Sequence, residues 1–186
     1  MNKGLILYKS KYGATKKYVD MLSEELDCDV VEIGNHSKVA FEQYSWIVFA
    51  GGIYASGISG LDVLRKNYQQ IKSKVAIFCV GASPFDEKAF EEIKNHNLKG
   101  DLSDIPVFYG RGMWNESKMS LMDRTLCKML QKAIAKKDSG SCEPWMKALL
   151  SATGQNCDWT DPKYLIPLIG YIKSECQKHL YLQGGR

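Results

Sequence analysis

LYKSKYGATKKYVDML, residues 7–22, changes its period halfway along. It opens inside the apolar run GLILY (4–8), which is short and continuous enough for a strand buried on both faces. From Thr15 onward Tyr18, Val19, Leu22 and Leu26 recur at helical spacing and predict an amphipathic helix over 15–26. Between the two lie Ser10, Lys11, Tyr12, Gly13, Ala14 and Thr15, rich in hydroxyls with one glycine near the centre. This turn reads either as a plain connection capped by Thr15 or as a cradle for a phosphate. In the second reading Gly13 lets successive N–H groups turn inward, and the helix N-terminus adds a favourable dipole.

The alternation continues along the chain. Residues 28–33, 46–50, 75–80 and 105–109 read as four further strands, with Pro106 suited to a strand's first residues or an edge because it lacks an N–H. Helical stretches fall at 60–70, 86–95 and 117–137, and the region around Phe41 is a short helix or an irregular link. The stretch 117–137 is expected to bury Leu121, Met122, Leu126, Met129, Leu130, Ala133 and Ile134, and Met119 is likewise assigned to the core. Five apolar strands separated by helices predict an α/β three-layer sandwich: a five-stranded parallel sheet of order 2-1-3-4-5 with helices on both faces. Residues 1–186 are expected to form one domain, with 138–160 an extra loop or short helix before the last helix. Within that piece 143–150 is a short amphipathic helix that either packs on the body or presents Trp145 and Leu149 as a lid or docking element. Thr160 or Asp161 caps the last helix, with Pro162 in its first turn. Residues 180–186 read as a frayed end.

In a sheet of that order, ligands sit beyond the strands' carboxyl ends, where the winding reverses between strands one and three. The loops predicted there are 10–15, 51–57, 81–85 and 110–114. Each carries glycine, and aromatic side chains are frequent among them. Gly52, Ile53, Tyr54 and Ala55 follow strand three, and Gly81, Ala82, Ser83 and Pro84 follow strand four. Glycine allows close backbone approach, and a ring offers a flat partner for another ring. Tyr109 and Trp114 either touch a ligand or cover the sheet's end. Other phosphate motifs are missing: no G-x-x-x-x-G-K-[ST] and no G-x-G-x-x-G follows strand one. A short phosphate cradle facing aromatic, glycine-rich loops points to a mononucleotide with a large flat ring, hence FMN.

Composition bounds the partners. With 45% hydrophobic and 25% charged residues the chain is ordinary for a globular protein. The net charge of +4 comes from scattered lysines, with no basic block interleaved with aromatics, so no nucleic-acid face is expected. Mild attraction to an anionic partner or a membrane surface stays open, the latter as a peripheral contact, since no run approaches a span. A cytoplasmic location is the expectation. The six cysteines lack metal-ligand spacing and do not cluster with His36, His96 or His179, so no metal site is expected and the thiols read as reduced. The predicted loops hold one arginine, Arg111, and almost no acid before Asp86. That field would favour an anionic reduced flavin and raise its potential.

SKYGAT (10–15) resembles the phosphate loop of flavodoxins, with Tyr12 where a threonine is usual. GIYA (52–55) resembles the loop along their isoalloxazine ring, with Tyr54 in the stacking position, and GASP (81–84) matches their third flavin loop. MSLMDRTLCKML (119–130) and CDWTDPKYLIPLIGYI (157–172) resemble the bacterial quinone-linked protoporphyrinogen oxidase branch of flavodoxin-like proteins. The resemblance implies FMN bound by Ser10–Thr15, Gly52–Ala55 and Gly81–Pro84. Three functions remain: an electron carrier between protein or small-molecule partners, an FMN-dependent oxidoreductase acting on a porphyrinogen or quinone, and a cofactor-free interaction module. No acid–base pair or nucleophile stands out as catalytic, and the oligomeric state is open.

Overall fold

The computed structural model describes residues 3–35, 39–71, 74–137, 140 and 142–183, so His36 and residues 184–186 lie outside it. Its main elements are β1 (Gly4–Lys9), α1 (Ala14–Glu25), β2 (Cys28–Glu32), β3 (Trp46–Tyr54), β4 (Gly57–Ile58), α2 (Leu61–Asn67) and β5 (Lys74–Gly81). There follow α3 (Glu87–Asn97), β6 (Val107–Arg111), β7 (Met113–Asn115), α4 (Leu121–Ile134), α5 (Pro144–Ser151), β8 (Asn156–Asp158) and α6 (Ile166–Gln183). The frayed end expected from residue 180 is helical as far as Gln183.

The five long strands pair in parallel in the order β2-β1-β3-β5-β6, which counted among themselves is the expected 2-1-3-4-5. The short β4 adds an antiparallel rung to the end of β3. β1, β3 and β5 are inside the sheet, and their continuous apolar runs follow from burial on both faces. Leu5, Leu7, Ile47, Phe49, Ile77 and Cys79 face α2 and α3, packing on Leu61, Leu64, Phe90 and Ile93. Ile6, Val48, Ala76 and Phe78 face α1 and α6, packing on Tyr18, Leu22, Leu168 and Ile172. Pro106 sits just before β6, where its carbonyl still accepts from the Ile77 N–H at 2.9 Å. Asp161 caps the turn at Pro162–Leu165 that leads into α6, accepting from the Lys163 N–H at 2.9 Å. No disulfide joins the six cysteines.

The C-terminal third departs from expectation. After β6 the chain leaves the main sheet and makes β7, loops out from Glu116, and comes back in β8, which pairs antiparallel with β7 through Trp114 and Cys157 as a separate two-stranded ladder. The Gly154 N–H donates to Glu116 Oε1 (3.1 Å) and closes the neck of this excursion. The short helix expected within 138–160 is α5, and the excursion that carries it runs more widely, from 116 to 155, and takes in α4 as well (residues 138, 139 and 141 lie outside the described ones).

Of the face assigned to the core on the helix expected at 117–137, Ile134 is buried as expected and the rest is turned outward. Leu121 is 80% exposed, Met122 73%, Leu126 57%, Met129 63% and Leu130 44%, and Ala133 is exposed as well. Only Gln131 and Ile134 of α4 are buried, and Met119 before it is half-buried. An amphipathic period specifies a stripe but not what the stripe faces. Here the helix is turned by its polar residues: Asp123 reaches back to the first loop, and Arg124 donates to the carbonyls of Glu116, Ser117 and Met119. α5 packs on the inner side of α4, with Gln131 donating to the Leu149 carbonyl, so Trp145 and Leu149 are half-buried rather than presented as a lid.

Gly4 gives the sheet one checkable constraint. A Cβ there would stand 2.0 Å from Cε2 and Cζ2 of Trp46, whose ring is held in the core at 4% exposure. Gly4→Ala is expected to destabilise the fold by about 1–3 kcal/mol. Urea unfolding should show a lower midpoint at unchanged slope.

Candidate functional site

The strands end together at the carboxyl edge because the ladder is in register: Lys9 lies beside Gly51, Gly52 beside Val80, and Val80 beside Gly110. The winding reverses between β1 and β3, so the loops after these strands face each other across the switch point.

Ser10–Thr15 is the turn from β1 into α1. Gly13 precedes the helix at φ +97°, a left-handed conformation that an L side chain adopts only with strain. Ser10 Oγ accepts from the Gly13 N–H (3.2 Å) and the Lys16 N–H (3.3 Å), so donors of the loop and of the first helical turn converge on one oxygen. Among the described residues the N–H groups of Lys11, Tyr12, Ala14 and Thr15 have no acceptor, and the first turn of α1 carries no acid. Together these make an anion-compatible nest.

Gly52, Ile53 and Tyr54 are the last residues of β3 rather than a separate loop. Ala55 (φ 46°) and Ser56 (φ 66°) turn the chain tightly into β4, with both central residues left-handed as in a type I′ hairpin. Asn97, buried at the end of α3, secures this hairpin. Its Oδ1 accepts from the Ile58 N–H (2.9 Å) and its Nδ2 donates to the Ser56 carbonyl (2.6 Å). The Tyr54 ring lies over Gly52, where a Cβ would stand 2.8 Å from Cε2. Burial pushes the Tyr54 phenol up to about 12 against the opposing pull of the Lys11 charge, although 38% of the residue stays exposed.

Gly81 ends β5, and Ala82, Ser83 and Pro84 lead to α3. Three carbonyls of this loop are engaged from the β6 side: Gly81 by the Gly112 N–H (2.7 Å), Ala82 by Arg111 Nε (3.1 Å) and Ser83 by the Tyr109 hydroxyl (2.6 Å). Tyr109 thus braces the loop, and burial pushes its phenol upward. Trp114 is buried in β7. Both fit the reading that they cover the sheet's end.

The first two loops meet. Tyr12 and Tyr54 stand edge to face at 6.3 Å, and Lys11 Nζ lies 5.5 and 5.6 Å from their ring centres. Among the described residues no ring or hydrogen-bond contact joins the third loop to Tyr12 or Tyr54. A cavity of about 290 Å³ lies at the opposite edge, between the end of α1, Trp46 and α6.

Asp123 is the residue that reading the sequence missed. Its carboxylate pairs with Lys11 Nζ at 2.5 Å and accepts from the Tyr12 hydroxyl, and the Ser120 N–H donates to the same Tyr12 oxygen at 3.2 Å. Ser120 also caps α4 by accepting from the Asp123 N–H, an S-x-x-D signature that was readable as a helix start but not as a link to the first loop. Lys16 pairs with Asp20 (2.8 Å) and Lys17 with Asp158 (2.7 Å), so each lysine of the first loop and helix has its own carboxylate. The basic field expected from the loops alone is thus locally balanced. Behind the loop, Tyr18 donates to the Arg111 carbonyl (2.6 Å) and accepts from the Asp161 N–H (3.2 Å), and burial pushes its phenol up to about 12.

Residues 5–141 match the family model described as Flavodoxin domain. No curated protein matches the chain. Similar solved structures include the Trp repressor binding protein from Bacillus subtilis, 18% identical over 59% of this chain and 83% of that one, with a TM-score of 0.40. Another is a flavodoxin, WrbA-like protein from Agrobacterium tumefaciens, 18% identical over 67% of this chain and 88% of that one, with a TM-score of 0.42.

Asn97→Ala strips the hairpin of its brace and leaves a buried N–H and a carbonyl unpaired, which is expected to cost about 1–3 kcal/mol. Faster amide exchange at Ile58 than at β5 would report it. Lys11 first, and then the Tyr12 hydroxyl, hold the Asp123 carboxyl below the usual aspartate range. A carboxyl more acidic folded than unfolded stabilises fully above the unfolded value and loses that contribution as pH falls through the folded one. The tie between α4 and the first loop should therefore persist through the ordinary aspartate range and loosen only below it, read as accelerated exchange of the Ser120 N–H. Asp123→Asn should give the loosened behaviour at neutral pH.

Proposed function

The chain belongs to the flavodoxin-domain family, and on that premise we propose that it binds FMN at the β1–β3 switch point and works as a redox protein. One observation carries the reading: the Gly13 and Lys16 N–H groups converge on Ser10 Oγ at a helix start without acid, those of Lys11, Tyr12, Ala14 and Thr15 are unclaimed among the described residues, and the Tyr54 hairpin stands across from them. The residues fit the group. Ser10, Lys11, Tyr12, Gly13, Ala14 and Thr15 take the phosphate through backbone N–H groups and hydroxyls, with Gly13 permitting the turn. Gly52, Ile53, Tyr54 and Ala55 line one side of the flat ring, with Tyr54 its aromatic partner. Gly81, Ala82, Ser83 and Pro84 line the other, held in shape by Tyr109 and Arg111.

Bound there, FMN supplies the one- and two-electron chemistry. The chain's own contribution is binding and shielding. Tyr54 keeps its proton across the physiological range, because burial raises its phenol to about 12, so it adds a neutral ring and no charge. Asp123, Asp20 and Asp158 offset Lys11, Lys16 and Lys17, leaving the neighbourhood of the phosphate close to neutral. In this reading the chain carries electrons between protein or small-molecule partners. A second reading, an FMN-dependent oxidoreductase of the quinone-linked protoporphyrinogen oxidase type, has the support of the excursion 116–155, which is tied to the first loop through Asp123 and stands beside the site.

The purified chain is expected to show flavin absorbance bands that are released on denaturation, or to gain them on adding FMN. Ser10→Ala should weaken FMN about tenfold to a hundredfold in a fluorescence titration, as the loss of a hydrogen bond to a charged group does. A chain that stays colourless with FMN in excess would return the site to a cofactor-free module. Turnover of a porphyrinogen or a quinone by the chain alone separates the oxidoreductase from the carrier.

A further inference from the structure

We infer that the outward face of α4 is a docking surface for an anionic lipid membrane. Met122, Leu126, Met129 and Ala133 follow one another at helical spacing, flanked by Leu121 and Leu130, and all six are exposed. A run of large apolar side chains turned to water on one helix marks an interaction surface. Around it stand Lys128, Lys132, Lys136 and Lys137, all exposed, and among the described residues none of the four is paired with a carboxylate. The one acid of α4, Asp123, is turned away and engaged by Lys11 and Tyr12.

Charge decides the occupant. A stripe of flexible Leu and Met side chains edged by unpaired lysines, on a helix lying along the surface of the fold, matches the boundary between acyl chains and anionic headgroups. The apolar side chains enter the acyl region while the lysines extend to the phosphates. A second copy of the chain would set the same lysines against one another. A membrane satisfies both halves of the face at once, and it needs no spanning helix; no helix of the described residues is long and apolar enough to cross one. Docked this way, the edge carrying Lys11 and Tyr12 lies next to the lipid, because α4 is joined to it at Asp123.

The test is sedimentation of the full chain with vesicles of phosphatidylcholine, with and without phosphatidylglycerol. The chain should partition onto the mixed vesicles and stay in solution with phosphatidylcholine alone, with binding weakened by salt. Replacing Lys128, Lys132 and Lys136 together by glutamine should lower the partition coefficient roughly a hundredfold, at about fivefold per lysine. Leu126→Ser with Met129→Ser should lower it at least about tenfold. Both variants alter outward positions, and an unchanged circular dichroism spectrum confirms that they fold. Three results would overturn the inference: no partition onto the mixed vesicles, equal partition onto both kinds, or partition unaffected by the serine pair. A dimer in sedimentation velocity that the serine pair dissociates would assign the face to a second copy instead. None of these readouts depends on FMN.

Discussion

The fold depends on parallel pairing. A strand can be followed by a parallel neighbour only after a crossover, and the crossover helices then cover the sheet on both faces. That constraint makes β1, β3 and β5 apolar from end to end, since neither face of the inner strands meets water. It also leaves every strand-to-helix turn at one edge, where backbone donors cannot be used up by a ladder. Ser10–Thr15 is consequently rich in unclaimed N–H groups, and the left-handed Gly13 is what brings its own N–H and that of Lys16 to one oxygen, Ser10 Oγ. The site is a by-product of the sheet's direction before it is a feature of any side chain.

Two buried polar groups convert that edge from a set of loops into a fixed surface. Asn97 reaches from the end of α3 to hold the Tyr54 hairpin at Ile58 and Ser56, two residues of which have positive φ without being glycine. Two consecutive left-handed residues cost about 1–2 kcal/mol each, so the hairpin persists because its far strand is hydrogen-bonded into place. Tyr18 does the same on the opposite face, joining α1 to the end of β6 and to the entry of α6 through one hydroxyl. Each acts where an unsatisfied backbone group would otherwise be enclosed.

The layers were legible because they are local. Strand runs and helical spacing are properties of neighbouring residues, and the sheet order followed from their alternation. What was not legible depends on long separations. Lys11 and Asp123 are placed together by the route of the excursion, and neither sequence neighbourhood announces the other. The start and end of that excursion were also hidden, because β7 and β8 are three residues each and carry no period to read. Asn97 lay beyond the expected end of its helix, and an asparagine at a helix terminus ordinarily reads as a cap. The candidate site was legible at its loops and illegible at its braces.

α4 shows most clearly why. Its Leu and Met positions have the spacing of a core face, and a hydrophobic period alone sends such a face inward. Rotating the helix to bury them would carry Asp123 away from Lys11 and Tyr12 and Arg124 away from three carbonyls, exchanging directional bonds at both neck and loop for non-directional contact. The inner side already holds the buried Gln131 and Ile134, with Gln131 bonded to the Leu149 carbonyl of α5, which would lose its partner. α4 therefore settles with Asp123, Arg124 and Gln131 engaged inward beside Ile134 and with its Leu and Met stripe outward. That arrangement costs the sheet nothing, since neither of its two core clusters draws a residue from α4.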